Sequence, residues 1–441
     1  MMKKLLLSIC ALALLMACSK DNDGQEENGQ ESQNQRQEEV TPVQQARRTV
    51  LVYIAAENNL NSFLDENLAT MKEGSRHLND DQNLVVYVNR AQETNPCYMA
   101  RIYQGELVDT VLMPDELAAD PTVMTCILRE TLQRYPAQSY GLVLWGHCDG
   151  WIIQDSDSIS DTRAYGVSTG NNTPYMSNLY WMNIPQMSQA IADGMEGNKL
   201  AFIFGDCCEL ASLEIAYELR HLTDYLIGSP AEIPDGGAPY ELNVPDFFLE
   251  TDDFYRTLID HYYDYWLAEY QKELNAYRYY NDSFGDLVGY SVPLVAVKSS
   301  ELDQLATATS QVLGTIAEKV STTDTLNLTK AIYYSSVGKR QYAYDINCVL
   351  KQNAAPADYL TWKASYDKAI PYARHSVIWF SSNYYLRKNM SAYFAQIPAE
   401  DCGSISMTFP STTYEGTTPN WNKALQQYQW NNVIHWEQYG W

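Results

Sequence analysis

The sequence predicts an α/β fold, with a sheet of mostly parallel strands flanked by helices and then a mixed helical and β region. Over the first half of the chain, short apolar runs rich in β-branched residues alternate with segments of helical periodicity. That alternation is typical of parallel α/β sheets. Hydrophobic residues make up 46% of the 441 positions, which is enough for one large core or for two domains.

Five apolar runs are predicted to be buried strands of this sheet. They are residues 49–55, 84–88, 140–146, 200–205 and 225–229. Between the second and third runs, residues 100–103 and 107–112 lie on either side of a Gln-Gly-Glu segment and predict a hairpin.

Helical periodicity predicts the segments that connect the strands. Asn58 or Asn59 is expected to cap a first helix, whose apolar residues recur at helical spacing. Further helices are predicted at residues 123–134, 184–195 and 209–221. The polar stretch 149–178 is predicted to be a long loop.

The pattern changes after Pro239. Helices are predicted at residues 251–273 and 301–320, and strands at residues 289–297 and 404–409. We therefore expect an α/β domain over residues 47–240. A C-terminal α/β region over residues 241–441 is expected to pack on that domain or to complete it.

The N-terminus has the features of a bacterial lipoprotein signal peptide. Lys3 and Lys4 precede an apolar run over residues 5–16, which is too short to span a bilayer, and Ala17-Cys18 follows it. Residues 1–17 are predicted to be the signal peptide and Cys18 the lipidated residue, the alternative being a buried N-terminal helix. The polar, acidic stretch 18–46 is predicted to be a disordered tether. Its acidic cluster SKDNDGQEE (19–27) resembles the surface-export signals of Bacteroidetes lipoproteins. We therefore expect an outer-membrane lipoprotein that is either surface-exposed or periplasmic.

The charge balance limits the classes of partner. The chain has 30 basic and 55 acidic residues, a formal net charge of −25. Nucleic acid is an unfavourable partner because phosphate contacts need Lys and Arg. Cationic substrates are electrostatically favoured, although simple solubility explains the acidity equally well.

The cysteine count leaves a thiol available for chemistry. Cys10 lies in the leader and Cys18 is the predicted lipidated residue, so seven cysteines remain in the exported protein. Because seven is an odd number, at least one of them has no disulfide partner within the chain. The pairs His147-Cys148 and Cys207-Cys208 are adjacent in sequence, a spacing that zinc sites do not use. No metal site is therefore predicted, although a metal-binding envelope protein remains a competing interpretation.

His147 and Cys208 follow two of the predicted parallel strands directly or within three residues. The carboxyl ends of parallel strands meet at one edge of a sheet, so these side chains are expected to form a Cys–His dyad. A helix beginning at residue 209 is expected to lower the pKa of the Cys208 thiol, and nearby backbone N–H groups to hold an oxyanion. The alternative is a pair of structural core cysteines.

Two segments carry a resemblance to a known family. The segments LVLWGHCDGW (142–151) and FGDCCELASLEIAYEL (204–219) resemble the motifs W-x-H-G-G-G-W and D-A-C-L-M-x-x-x-E-x-A-Y-E-L of the clostripain family of cysteine peptidases. By this resemblance His147 is the catalytic histidine, Cys208 the nucleophile and Asp206 the motif aspartate, while Cys207 replaces an alanine. The similarity extends over the chain from Arg47 onward and implies a caspase-like fold.

The resemblance also implies a specificity and a maturation step. Family peptidases of this kind cleave after Arg or Lys, with Asp206 as the counter-charge and Glu232 and Asp235 as weaker candidates. The alternative is that Asp206 has no role in specificity and is a carboxylate that ends the strand or caps the helix. Self-cleavage is expected after Arg163, in the loop between the dyad residues. The alternative is that Arg163 is an ordinary loop arginine. The resemblance implies no cofactor except calcium, on which some relatives depend.

One departure from the family pattern concerns the residues after the histidine, where Cys148-Asp149-Gly150 replaces the glycine run. Side chains there are expected to narrow the site, and Cys148 and Cys207 to approach each other beside the dyad. Our main hypothesis is a lipid-anchored cysteine endopeptidase, bound to the membrane through the lipid on Cys18 and acting on proteins or peptides with basic residues. The alternative is a catalytically weak or inactive caspase-like binding lipoprotein.

Overall fold

A computed structural model describes residues 45–91, 96–152, 164–169, 179–277, 291–319, 326–337, 340–376, 379, 401–417 and 419–439. The predicted signal peptide, Cys18, nearly all of the predicted tether and Arg163 lie outside these residues. Within them, no helix combines the length and the hydropathy that crossing a membrane requires.

The main feature is a nine-stranded sheet, which confirms the predicted fold class. The strands are β1 (Ala46–Ala56), β2 (Gln82–Arg90), β3 (Tyr98–Tyr103), β4 (Glu106–Leu112), β5 (Ala137–Trp145), β8 (Leu200–Asp206), β9 (Thr223–Gly228), β10 (Leu294–Lys298) and β13 (Tyr372–Arg374). Their order across the sheet is β13-β10-β9-β8-β5-β1-β2-β3-β4. The five central strands, from β9 to β2, are parallel, and the outer strands pair antiparallel. The five predicted buried runs and the predicted hairpin all lie in this sheet.

Two small sheets accompany the large one. One pairs β6 (Tyr165–Ser168) with β7 (Tyr180–Met182), and the other contains β11 (Tyr333–Val337), β12 (Arg340–Asp345) and β14 (Ser406–Met407). The prediction of an uninterrupted loop over residues 149–178 is therefore wrong at β6. Backbone pairing of Tyr165 with Met182 and with Cys148 orders this short, polar segment.

Helices flank both faces of the large sheet. They are α1 (Asn61–Ser75), α2 (Pro121–Arg134), α3 (Ile184–Met195), α4 (Leu213–Leu219), α5 (Tyr240–Asp246), α6 (Phe254–Tyr277), α7 (Leu302–Lys319), α8 (Ile346–Asn353), α9 (Pro356–Ala369), α10 (Trp421–Leu425) and α11 (Asn431–Ile434). One hydrophobic core includes residues of α2, α3, α4 and α7, and a second includes residues of α1, α5 and α6. Alternation along β5 places Leu142 and Leu144 in the first core and Val143 and Trp145 in the second.

Two predicted helix starts need correction. Helix α4 begins at Leu213 rather than at residue 209, because the Ser212 hydroxyl oxygen caps it by accepting from the Ile215 N–H at 3.3 Å. Neither Asn58 nor Asn59 caps α1, whose N-cap residue is Leu60. Asn58 instead accepts from the Leu60 N–H through Oδ1, at 2.9 Å, in the turn before the helix.

The tryptophan-rich C-terminus packs against the histidine motif. Trp421, Trp430 and Trp436 are buried, and the Trp421 ring meets the Trp151 ring edge-on with centroids 6.4 Å apart. The Tyr428 hydroxyl donates to the Trp151 carbonyl. The last part of the chain thus supports the segment that follows His147.

Candidate active site

The site is at the carboxyl ends of β5 and β8. Trp145 and Asp206 are partners in the parallel register of these strands, and the Gly146 N–H donates to the Asp206 carbonyl at 3.4 Å. His147 and Cys208 each follow two residues after this pair, on strands that lie about 4.8 Å apart. Both side chains are half-buried. The structure therefore brings the predicted base and nucleophile to the same edge of the sheet.

The surroundings of Cys208 disfavour its thiolate. The Ile233 N–H donates to Cys208 Sγ at 3.4 Å, but burial outweighs this bond. Burial raises the pKa of the thiol well above its usual value, and the negative charges of Glu232 and Asp149 raise it further. The expectation that a helix N-terminus lowers this pKa is wrong, because α4 begins five residues after Cys208.

Hydrogen bonds hold both the backbone and the ring of His147 in place. Its carbonyl accepts from the Gly166 N–H at 2.8 Å, and the next turn is fixed by the Asp149 N–H, which donates to the Ala164 carbonyl at 3.0 Å. The ring nitrogen Nε2 lies 2.7 Å from Asn59 Oδ1. The sequence pattern predicts a helix cap at Asn58 or Asn59 and gives no sign of this contact, which only the long-range fold reveals.

Asp206 lies in a buried pocket next to the nucleophile. It is 3% exposed, its Oδ2 accepts from the Tyr240 hydroxyl at 2.7 Å, and its Oδ1 has no hydrogen-bond partner among the described residues. Burial raises the pKa of Asp206 to about 6, and the Tyr240 hydroxyl, together with the nearby Ala238 N–H and Tyr262 hydroxyl, limits the rise. The helix-cap alternative is wrong, since Ser212 caps α4.

A glycine allows the next loop to approach Asp206. Gly237 has a φ of +67°, and a Cβ on it would lie only 2.7 Å from Asp206 Oδ2. The other two predicted specificity residues are in the same loop. Glu232 is half-buried and near enough to Cys208 to raise the pKa of its thiol, whereas Asp235 is exposed.

Glu209 is a second residue that the sequence analysis missed. It is 5% exposed and has a left-handed φ of +55°, and its Oε2 accepts from the Tyr342 hydroxyl at 2.8 Å. Burial and the nearby charge of Asp149 raise the pKa of Glu209 well above its usual value. The available signal was an acidic residue at the position where the family motif has leucine.

The two other cysteines at the site contact each other. Cys148 and Cys207 are each 1% exposed, both belong to the core that contains α4, and their thiols share a hydrogen bond. Cys208 packs against the opposite core, as the alternation of side chains along an extended segment requires. No two of the described cysteines form a disulfide. Among the described residues, no group of three or more His, Cys, Asp or Glu side chains is placed to hold a metal ion.

Comparisons with known proteins bear on the family and the fold. The model of the clostripain family matches residues 52–436. A secreted C11 cysteine protease from Bacteroides thetaiotaomicron, solved with an irreversible peptide inhibitor, is 25% identical with a TM-score of 0.68, covering 89% of this chain and 99% of its own. An inactive zymogen C11 protease from Parabacteroides distasonis shares the fold at 22% identity and a TM-score of 0.66, covering 88% and 98%. Comparison with curated proteins found no match.

Proposed function

Because the chain belongs to the clostripain family and is a cysteine peptidase, we propose that it is a lipid-anchored endopeptidase that cleaves after Arg or Lys through Cys208 and His147. The observation that carries the assignment is the register of β5 and β8, which puts both half-buried side chains at one edge of the sheet. Its substrates are proteins or peptides.

In the proposed reaction His147 acts first as base and then as acid. The imidazole takes the thiol proton as Cys208 Sγ attacks the scissile carbonyl carbon, which forms a tetrahedral oxyanion. The C–N bond then breaks, the imidazolium gives its proton to the leaving amine, and a thioester remains. Water, deprotonated by His147, hydrolyses the thioester and restores the thiol.

Asp206 is proposed to select the basic side chain. Its Oδ1 is buried without a hydrogen-bond partner among the described residues, and a substrate ammonium or guanidinium supplies the charge-assisted bond that this atom lacks. Glu232 adds negative charge nearer to Cys208, and Asp235 adds it at the loop surface.

Self-cleavage is proposed at the Arg163–Ala164 bond. Ala164 is fully buried and its carbonyl accepts from the Asp149 N–H, so the residue after the cut is anchored next to His147. Arg163→Ala protein should run as a single chain on a denaturing gel where the parent runs as two fragments. Two fragments of unchanged size would exclude this site.

The anchor is proposed to be a lipid on Cys18, with the tether carrying the enzyme at the bacterial outer membrane. The secreted C11 protease of similar structure agrees with an envelope or extracellular location. Cys18→Ser protein should leave the membrane fraction and lose incorporation of labelled palmitate. Dependence on calcium is tested by activity in the presence and absence of a chelator.

The assignment of the nucleophile is tested by two neighbouring alanine variants. Cys208→Ala should abolish cleavage of a fluorogenic arginyl peptide, whereas Cys207→Ala places the family's alanine in the buried position and should retain most activity. Unchanged activity in Cys208→Ala would overturn the proposal. If the parent protein is not labelled by a lysine-directed acyloxymethyl ketone, the binding-protein alternative is favoured.

A further inference from the structure

The contact between Asn59 and His147 places a third polar group beside the dyad. The two residues are 88 positions apart in sequence, and Asn59 Oδ1 lies 2.7 Å from His147 Nε2. A carbonyl oxygen only accepts hydrogen bonds, so the proton in this bond is on Nε2. In the neutral ring, Nδ1 then carries the lone pair that can accept a proton.

Sheet order explains why Asn59 reaches His147 from the side opposite Cys208. Strand β5 lies between β8 and β1. Cys208 follows β8, His147 follows β5 and Asn59 follows β1, all at carboxyl ends of parallel strands. The base is therefore flanked by the nucleophile on one side and by the asparagine amide on the other.

The turn that carries Asn59 is built by buried hydrogen bonds. Asn58 is fully buried, and its Nδ2 donates to the carbonyls of Ala55 and Val167, each at 2.9 Å. The Thr169 N–H donates to the Glu57 carbonyl at 3.1 Å. Neighbouring residues thus fix the backbone of the turn, while the exposed Asn59 side chain is left to contact His147.

We propose that Asn59 is a positioning residue that orients His147 and fixes its proton on Nε2, making the site a Cys–His–Asn arrangement. The inference rests on the proposed roles of Cys208 and His147. When His147 accepts the thiol proton at Nδ1, the amide oxygen of Asn59 stabilises the imidazolium that forms. Loss of the amide removes the bond that favours the proton on Nε2, and the other tautomer presents N–H rather than a lone pair to the thiol.

The test compares Asn59→Leu with Asn59→Asp. Leucine removes the acceptor, and we expect kcat to fall about 10- to 100-fold, the value of a hydrogen bond to a charged group, with KM nearly unchanged. Aspartate keeps an acceptor oxygen at this position and should restore much of kcat. It should also move the pH profile of kcat to higher pH than in Asn59→Leu, because a carboxylate favours the imidazolium. A matched control is Ser62→Ala, which removes only the exposed bond to the Asn59 carbonyl.

Each outcome bears on one assignment. If Asn59→Leu retains full kcat while Cys208→Ala is inactive, the positioning role is wrong and the proposed dyad stands. If Asn59→Asp is as slow as Asn59→Leu and the two pH profiles coincide, Oδ1 is not the contacting atom and the inference also fails. Activity in Cys208→Ala would instead overturn the dyad on which the inference rests.

Discussion

Substitution of Asp206 by asparagine separates a specificity role from a structural one. A pKa of about 6, where an exposed aspartate has 3.8, means that burial disfavours the charged carboxylate by about 3 kcal/mol. A substrate cation about 4 Å away offsets this cost, because opposite charges at that distance attract by about 4 kcal/mol at an effective dielectric of 20. Asparagine still accepts from the Tyr240 hydroxyl but has no charge. Loss of the whole attraction would correspond to about 1,000-fold. Because the substrate cation gives up its own hydration on entering the site, we expect kcat/KM for an arginyl peptide to fall about 100-fold.

The assay uses two fluorogenic peptides that differ only in arginine or its neutral isostere citrulline at the cleaved bond. Asp206→Asn should lose activity on the arginyl peptide and keep its activity on the citrullyl peptide. In the parent, the preference for arginine should fall as the pH drops through about 6, where Asp206 takes up a proton. The exposed Asp253→Asn, outside the proposed site, is the matched control. An equal loss on both peptides would show that Asp206 is structural, and no loss on either would refute the reasoning.

Three further predictions follow from the buried groups. Burial raises the pKa of Glu214, which accepts from the Thr408 N–H at 2.7 Å, to about 7. The pKa of Glu214 is thus higher in the folded protein than its unfolded value of 4.5. The stability that protonated Glu214 contributes is therefore complete below pH 4.5 and is lost as the pH rises through about 7. Urea unfolding should thus show Glu214→Gln more stable than the parent by about 3 kcal/mol above pH 7 and equal to it at pH 4. Iodoacetamide should alkylate Cys208 slowly at neutral pH, since the pKa of this thiol is raised, and a rate that levels off below pH 7 would contradict that. Mild oxidation by hydrogen peroxide should link Cys148 to Cys207, seen by mass spectrometry as the loss of two hydrogens from joined peptides; the absence of the link after prolonged exposure would count against their contact.

The sheet was predictable because its signals are local. Runs such as residues 49–55 and 140–146 are apolar over a whole strand, which happens when both faces of the strand are buried. Once the strands are parallel, their carboxyl ends must meet at one edge. The approach of His147 and Cys208 therefore follows from topology without any knowledge of contacts.

The failures share one cause, which is that the deciding partner is distant in sequence. Leu210 fits the apolar spacing of a helix starting at residue 209. The backbone there pairs instead with the segment after β9, since the Ala211 N–H donates to the Ser229 carbonyl at 2.9 Å. Glu209 then takes a left-handed φ, so the helix starts only at Leu213. Asn59 has the residue type and the position of a helix cap. Nothing in the sequence next to it indicates that it contacts a histidine 88 residues further along the chain.

The charges at the site connect substrate selection with the state of the nucleophile. Glu232, Asp149 and Glu209 all raise the pKa of the Cys208 thiol, so these residues oppose a stable thiolate in the free enzyme. A thiol that keeps its proton must lose it to the base as it attacks, and the rate then depends on how well that base is oriented. The same carboxylates attract a basic side chain, whose positive charge reduces their effect on the sulfur. In an acidic site of this kind, the reaction rate therefore depends more strongly on an oriented histidine and a cationic substrate than it does in a site where a helix N-terminus lowers the thiol pKa.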